Sequence, residues 1–172
     1  MPAVLEVGTL SDLPLPAAMT AQRPTPAFIG ASWAALLIGV VSFVIGLWNA
    51  TSMMLNEKGY YLTVLLFGLF GVVSLQKSVR DRLEGVPVTS LYYGLCWLAV
   101  TTAVVLLAVG LWNAGLALSE KGFYAMAFLL ALFGAITVQK NVRDSAAYDT
   151  ANPSPEPDGG ERRGLGALLG DG

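Results

Sequence analysis

Four stretches of this chain carry no Asp, Glu, Lys or Arg: residues 24–56, 59–76, 85–119 and 122–139. A helix that crosses a bilayer needs about 20 mainly apolar residues, within a range of roughly 17–25. The first and third stretches exceed that. The second and fourth are 18 residues each, or roughly 27 Å of helix at 1.5 Å per residue. They suffice because Lys58, Lys77, Lys121 and Lys140 stand at their edges, where long side chains carry an ammonium group outward to water. Membrane helices are therefore predicted near 28–50, 59–76, 91–114 and 122–139. An aqueous helical bundle is the competing reading. It requires a polar face at a 3.6-residue period, and 62–75 offers only Thr63 and Ser74. The charged fraction of 13% is about half that of soluble domains, which favours the bilayer again.

Residues ahead of Ala27 include Glu6 and Asp12 and no basic side chain before Arg23. The positively charged start of a cleavable signal is missing, so the first apolar stretch is expected to direct insertion itself. A single cysteine, Cys96, allows no intrachain disulfide, and the chain has no histidine. The commonest metal ligand and general base is thereby removed. No GxSxG, phosphate loop or HExxH is present, and no ionisable carboxylate or amine lies within a span. Catalysis, a metal and a cofactor are all expected to be absent, as is nucleic-acid binding.

The chain is written twice. At an offset of 64, Gly30, Trp33, Ala35, Val40, Val41 and the run GLWNA at 46–50 match Gly94, Trp97, Ala99, Val104, Val105 and GLWNA at 110–114. One deletion later the offset is 63, and EKG at 57–59 matches EKG at 120–122. Tyr61 then matches Tyr124, LFG at 69–71 matches LFG at 132–134, and QKSVRD at 76–81 matches QKNVRD at 139–144. Each copy holds an even number of spans, so both enter and leave on one side of the membrane. The copies are parallel repeats related by an axis along the membrane normal, unlike the inverted repeats of many transporters.

The fold class is thus an all-α membrane protein of four transmembrane helices in two tandem hairpins. Residues 27–83 form the first hairpin, 84–90 a cytoplasmic linker and 91–146 the second hairpin. Residues 1–26 and 147–172, rich in Pro, Gly and charge, are expected to be disordered tails because they have little apolar surface to offset ordering. Basic residues near the membrane set orientation. Arg23, Lys77, Arg80, Arg82, Lys140 and Arg143 lie on one side, against Lys58 and Lys121 on the other. Both termini are expected in the cytoplasm, with the two EKG loops outside.

The repeated residues have structural roles to fill. Trp33 and Trp48, like Trp97 and Trp112, are 15 positions apart, about 22 Å along a helix. That places one indole near each boundary, where an apolar ring with one polar N–H is favoured. Lys77, Arg80, Lys140 and Arg143 are expected to anchor the cytoplasmic ends and to complement the helix dipoles there. Ala35, Gly39 and Gly46 on helix 1, with Ala99, Ala103 and Gly110 on helix 3, recur at steps that keep one face small. Such faces let backbones approach closely, so helices 1 and 3 are expected to supply the inner contacts. Gly68, Gly71, Ala131 and Gly134 offer a weaker version on helices 2 and 4. Asn49 and Asn113 either serve the turn at the helix end or meet across the pseudo-twofold axis, the turn being favoured. The glycines of the two EKG runs are expected to permit the reversal into the return helix.

The runs GLWNA, EKGYY and LFGVVSLQKSVRD, with their second copies, resemble the YiaA/YiaB two-helix inner-membrane family. The resemblance covers about 28–81 and 92–144. It implies a bacterial inner-membrane protein with two copies of that hairpin, and it brings no catalytic or binding residue with it. The expected role is non-enzymatic, through helix–helix or lipid contacts. The bilayer is the partner, together with a second copy of the chain or another membrane protein. The alternative is a small carrier or channel for a neutral or amphipathic molecule, with Asn49 and Asn113 lining its path.

Overall fold

A computed structural model describes residues 23–152. Four helices follow one another: α1 Pro26–Asn49, α2 Leu55–Leu83, α3 Ser90–Asn113 and α4 Leu118–Ala151. No strand occurs among the described residues. All four helices are long and apolar enough to cross a membrane. Residues Pro24–Arg143 form one compact unit, and the bundle described below is confined to it. Of the expected tails, 1–22 and 153–172 lie outside the described residues, whereas 147–151 continue α4 as helix.

Local chemistry sets the ends. Thr25 caps α1, its hydroxyl accepting the Phe28 N–H at 3.3 Å, and Pro26 occupies the first turn, where its missing N–H costs nothing. α2 and α4 begin four residues earlier than their uncharged stretches suggest. The cause is a carboxylate: Glu57 accepts the Met54 N–H at 2.7 Å and Glu120 accepts the Ala117 N–H at 2.8 Å. Each Glu satisfies a backbone donor that the first turn leaves free. The reversals therefore lie ahead of the EKG runs, and Gly59 and Gly122 sit inside helices. The expectation that these glycines make the turn is corrected.

The glycine that does need a left-handed backbone is Gly85, at φ 75°. It ends α2 with the Val86 N–H donating to the Asp81 carbonyl at 2.8 Å and its own N–H to the Arg82 carbonyl at 3.2 Å. That pairing is the Schellman arrangement, and Pro87 follows it. With 29 and 34 residues, α2 and α4 run to roughly 44 and 51 Å, beyond the ~30 Å of a hydrocarbon core. Their basic ends, from Lys77 and Lys140 onward, fall in the overhang.

Chain connectivity makes hairpins, but packing does not follow it. α2 meets α3 over a much longer interface than it meets α1. α1 lies against α4: a Cβ added at Gly39 would stand 2.7 Å from the Ala131 Cα, and one at Gly134 would stand 2.5 Å from the Leu36 Cα. Only glycine permits backbones that close. α2 and α4 form the centre. The rings of Tyr61 and Tyr124 stack with centroids 6.2 Å apart and planes 15° apart, and Gly68 leaves room for the Phe128 ring. Phe43, Leu65, Ala103, Phe128 and Ala131 are fully buried around them.

The two hairpins are therefore interlocked, the first helix of each packing on the second helix of the other. The expectation that helices 1 and 3 are the inner pair is reversed: α2 and α4 carry the axis, and α1 and α3 flank it. The reason is bulk, since the large side chains that fill the centre sit mainly on α2 and α4. The outer surface is apolar, with Leu37, Ile45, Leu66, Phe70, Leu98, Val105 and Phe133 all exposed. Such a surface suits a lipid or protein neighbour and not water.

Candidate functional site

The loop end of the bundle is where the repeated phrase assembles. Beyond their capping glutamates, the EKG runs place a lysine that reaches back across each reversal. Lys58 Nζ donates to the Trp48 carbonyl at 3.2 Å, and Lys121 Nζ donates to the Trp112 carbonyl at 3.3 Å. Those carbonyls belong to the last turns of α1 and α3, which lack a partner within the helix. The positive charge also opposes the negative end of the helix dipole. In each loop Glu thus fastens the start of one helix and Lys the end of the one before.

Asn113 turns its amide back on its own helix, Nδ2 donating to the Val109 carbonyl at 2.8 Å. Both Asn49 and Asn113 are exposed. One of the two Asn113 amide hydrogens is thereby used within its own helix. The glycines preceding them have a different task. A Cβ at Gly46 would fall 2.7 Å from a Phe123 ring carbon, and one at Gly110 would fall 2.8 Å from a Tyr60 ring carbon. Each glycine admits an aromatic side chain from the second helix of the other copy.

Tyr60 uses that space to bond: its hydroxyl donates to the Leu106 carbonyl at 2.7 Å. The matching residue of the second copy is Phe123, which has no hydroxyl to give. Beside Tyr60 lies a cavity of about 290 Å³ walled by Asn56, Glu57, Tyr60, Tyr61, Gly110 and Asn113. A larger apolar groove of about 410 Å³ opens further along the α2·α3 interface, by Gly71, Cys96 and Ala99.

At the opposite end the copies differ again. Ser32 accepts from Asn141 Nδ2 at 2.9 Å while donating to the Phe28 carbonyl at 2.8 Å. Both residues are buried. Their counterparts are Cys96 and Ser78, and Ser78 Oγ turns to its own helix, 3.0 Å from the Ser74 and Leu75 carbonyls. Gln76 and Gln139, matching positions on the two central helices, each bury a side-chain oxygen.

The other sequence-derived candidates fall as follows. Gly39 and Ala103 are buried, and Ala35, Ala99, Gly46 and Gly110 are half-buried. Trp33, Trp48, Trp97 and Trp112 are exposed on the outer surface. Arg80 Nε lies 2.6 Å from Glu84 Oε1, which holds the Glu84 carboxyl below its ordinary range, chiefly through that hydrogen bond. Lys77 and Lys140 are exposed, and Arg80 and Arg143 half-buried. Arg82 places its guanidinium 4.3 Å from the centre of the Tyr93 ring, fastening the start of α3 to the end of α2. Among the described residues no three of His, Cys, Asp or Glu come together. Sequence reasoning missed the Tyr61–Tyr124 stack, the Tyr60 bond and the Ser32–Asn141 bond. The tyrosine pair had a signal, since it stands in both copies on the strip that continues through Leu65, Gly68 and Val72. The other two had none, because each depends on a residue that one copy lacks.

A family model described as the yiaA/B two helix domain matches the chain twice, over residues 28–81 and 92–144. Inner membrane protein YiaA of Escherichia coli (strain K12) is 59% identical over 121 residues, covering 70% of this chain and 83% of that protein. Uncharacterized membrane protein YubF of Bacillus subtilis (strain 168) is 41% identical over 63 residues, 37% of this chain and 72% of that protein. Inner membrane protein YiaB of Escherichia coli (strain K12) is 29% identical over 99 residues, 57% of this chain and 82% of that protein. No solved structure matches.

Proposed function

The chain belongs to the yiaA/B two-helix family, and from that premise we propose a non-enzymatic role for it, exercised through helix–helix and lipid contacts. It is a multi-pass protein of the inner membrane. Our reading adds that both termini and the 84–90 segment face the cytoplasm, on the strength of the basic residues gathered at that end. One observation carries the functional part. The repeated polar residues at the loop end serve the backbone, Glu57 and Glu120 as caps and Lys58 and Lys121 as ties, while the outer face of the spans is mainly apolar. A second copy of the chain or another membrane protein is the partner such a face would meet.

A photo-crosslinking amino acid at the lipid-facing Phe70 or Phe133 tests this in native membranes. A discrete protein adduct at one position, lost when a neighbouring exposed residue is changed, is the expected result. Lipid adducts alone at every position would remove the partner. The second reading is a carrier or channel for a neutral or amphipathic molecule, favoured by Asn113 on the wall of a cavity. Flux in proteoliposomes above that of empty vesicles, abolished in Asn113→Ala, would establish it instead. Orientation is read separately. With Cys96 replaced by Ala, cysteines at the exposed Ser52 and Ser119 should label from outside the cell, and one at Glu84 only after permeabilisation. The reverse pattern would invert the topology.

A further inference from the structure

The 290 Å³ cavity beside Tyr60 has a chemical bias that its residues make plain. It lies at the small end of ligand sites, which run from ~300 to 1,000 Å³. Two of its donors are already engaged with backbone: the Tyr60 hydroxyl with the Leu106 carbonyl and the Asn113 amide with the Val109 carbonyl. What remains toward the space is acceptor capacity from the Tyr60 oxygen lone pairs and the Asn113 carbonyl oxygen, together with the second Asn113 amide hydrogen and the Asn56 amide, which can donate or accept. Glu57 adds a carboxylate, which uses one oxygen on the Met54 N–H and keeps a second. No lysine or arginine lines the space. The nearest lysine in sequence, Lys58, directs its ammonium to the Trp48 carbonyl.

Two aromatic rings complete the wall. Tyr60 and Tyr61 stand edge to face, with centroids 5.3 Å apart and planes at 79°, and both rings line the space. A ring face attracts a cation, more strongly where water is thinned out. A carboxylate, spare acceptors and two aromatic rings with no basic side chain form an environment for positive charge on a small organic group. We propose that this cavity binds an alkylammonium group, with Glu57 as its counter-charge and the rings of Tyr60 and Tyr61 as its walls. The inference does not depend on whether the protein transports anything. The cavity sits at the first turn of α2, at the end of the bundle that holds Trp48 and Trp112. Its occupant is therefore either a free amine or the ammonium of a lipid headgroup.

The duplication supplies a built-in control. Glu120 repeats the cap of Glu57, at 2.8 Å against 2.7 Å, but its neighbours are Ser119 and Phe123 in place of Asn56 and Tyr60. Glu57→Gln and Glu120→Gln both keep an oxygen that can cap the helix, since Gln serves that position as Glu does. Each removes one negative charge. Binding of choline to the full-length protein in detergent is measured by calorimetry, beside 3,3-dimethylbutan-1-ol, which has the same shape without the charge. Choline should bind at least about tenfold more tightly than the alcohol, a ratio in keeping with a desolvated cation–ring contact. Glu57→Gln should lose about tenfold for choline, and Glu120→Gln should stay within about twofold of wild type.

Equal binding of choline and the alcohol, no binding of either, or equal losses in the two variants would overturn the proposal. Nanodiscs separate the two sources of the ammonium. If the wild-type preference over Glu57→Gln falls in phosphatidylethanolamine discs relative to phosphatidylglycerol discs, the headgroup competes for the site and is its occupant. If the preference is the same in both, the occupant is a free amine. Either result supports the assignment.

Discussion

Two interfaces of this molecule are copies of one another, and they have diverged. α1 packs on α4 through Gly39, Gly134 and the buried Ser32–Asn141 bond. α3 packs on α2 through Ala103, Gly71 and the pair Cys96 and Ser78 at the matching places. One methyl group, Ala103 for Gly39, accompanies the difference. A Cβ at Gly134 would stand 2.5 Å from a backbone Cα, whereas at Gly71 the nearest atom is a Val100 side-chain carbon at 3.2 Å. The first interface is closed and carries an interhelical polar bond. The second is wider at Gly71, where the 410 Å³ groove opens, while at the loop end Gly46 and Gly110 leave equally little room and the 290 Å³ cavity lies beside Tyr60. The lesson is that duplication alone does not build a site. The 290 Å³ cavity goes with Asn56 and Tyr60, where the other copy has Ser119 and Phe123.

The contrast can be broken most forcefully at the glycines. Gly134→Ala should cost about 1–3 kcal/mol, the usual penalty for forcing a methyl into a filled contact. Gly71→Ala should cost less, because the nearest atoms there, a Val100 side-chain carbon at 3.2 Å and the Val100 backbone nitrogen at 3.3 Å, leave more room than the 2.5 Å at Gly134. Unfolding in mild detergent, followed by thermal melting, measures both. Equal costs would mean the two interfaces are equally tight.

Next in size is the polar bond. Asn141→Leu should lose about 0.6 kcal/mol and at most ~1.7, the range found for hydrogen bonds between membrane helices. The reciprocal graft of Ser78→Asn with Cys96→Ser would sharpen the comparison, for it should stabilise α2·α3 by a similar amount. Tyr60→Phe removes the bond to Leu106 and should cost about 0.5–1 kcal/mol. Phe123→Tyr at the matching place in the other copy should gain little unless its hydroxyl finds the equivalent carbonyl.

The smallest effect concerns pH. Glu84 is depressed by Arg80, so its contribution is present above the unfolded carboxylate range and fades as pH falls through the lower folded value. Because the group is exposed, solvent screens it. Glu84→Gln should therefore lower the melting temperature slightly near neutrality and flatten the slight further loss that the wild type shows in acid.

Much of this was legible from the chain. Uncharged stretches located the spans, and the offset of 64 falling to 63 exposed the two hairpins. The small residues at Gly39, Gly46 and Gly110 marked places where something comes close. What they could not show was which helix comes close. Between apolar helices in lipid there is no hydrophobic preference for one neighbour over another, so a stripe of small residues names a face and leaves its partner open. The EKG glycines misled for a related reason. A charged run with a glycine resembles a turn, but the Glu at its head is a helix cap, and the helix had begun before it.

The sequence by itself determined the number of spans, their duplication and the apolar exterior, because these depend on composition and on the register of the two copies. Only the tertiary structure decided that the hairpins interlock, that α2 and α4 hold the axis, and that cavities open along the α2·α3 interface. Those outcomes depend on whether side chains far apart in sequence fit one another. A Phe128 ring over Gly68, or one methyl at Ala103, has no meaning until the facing helix is in place.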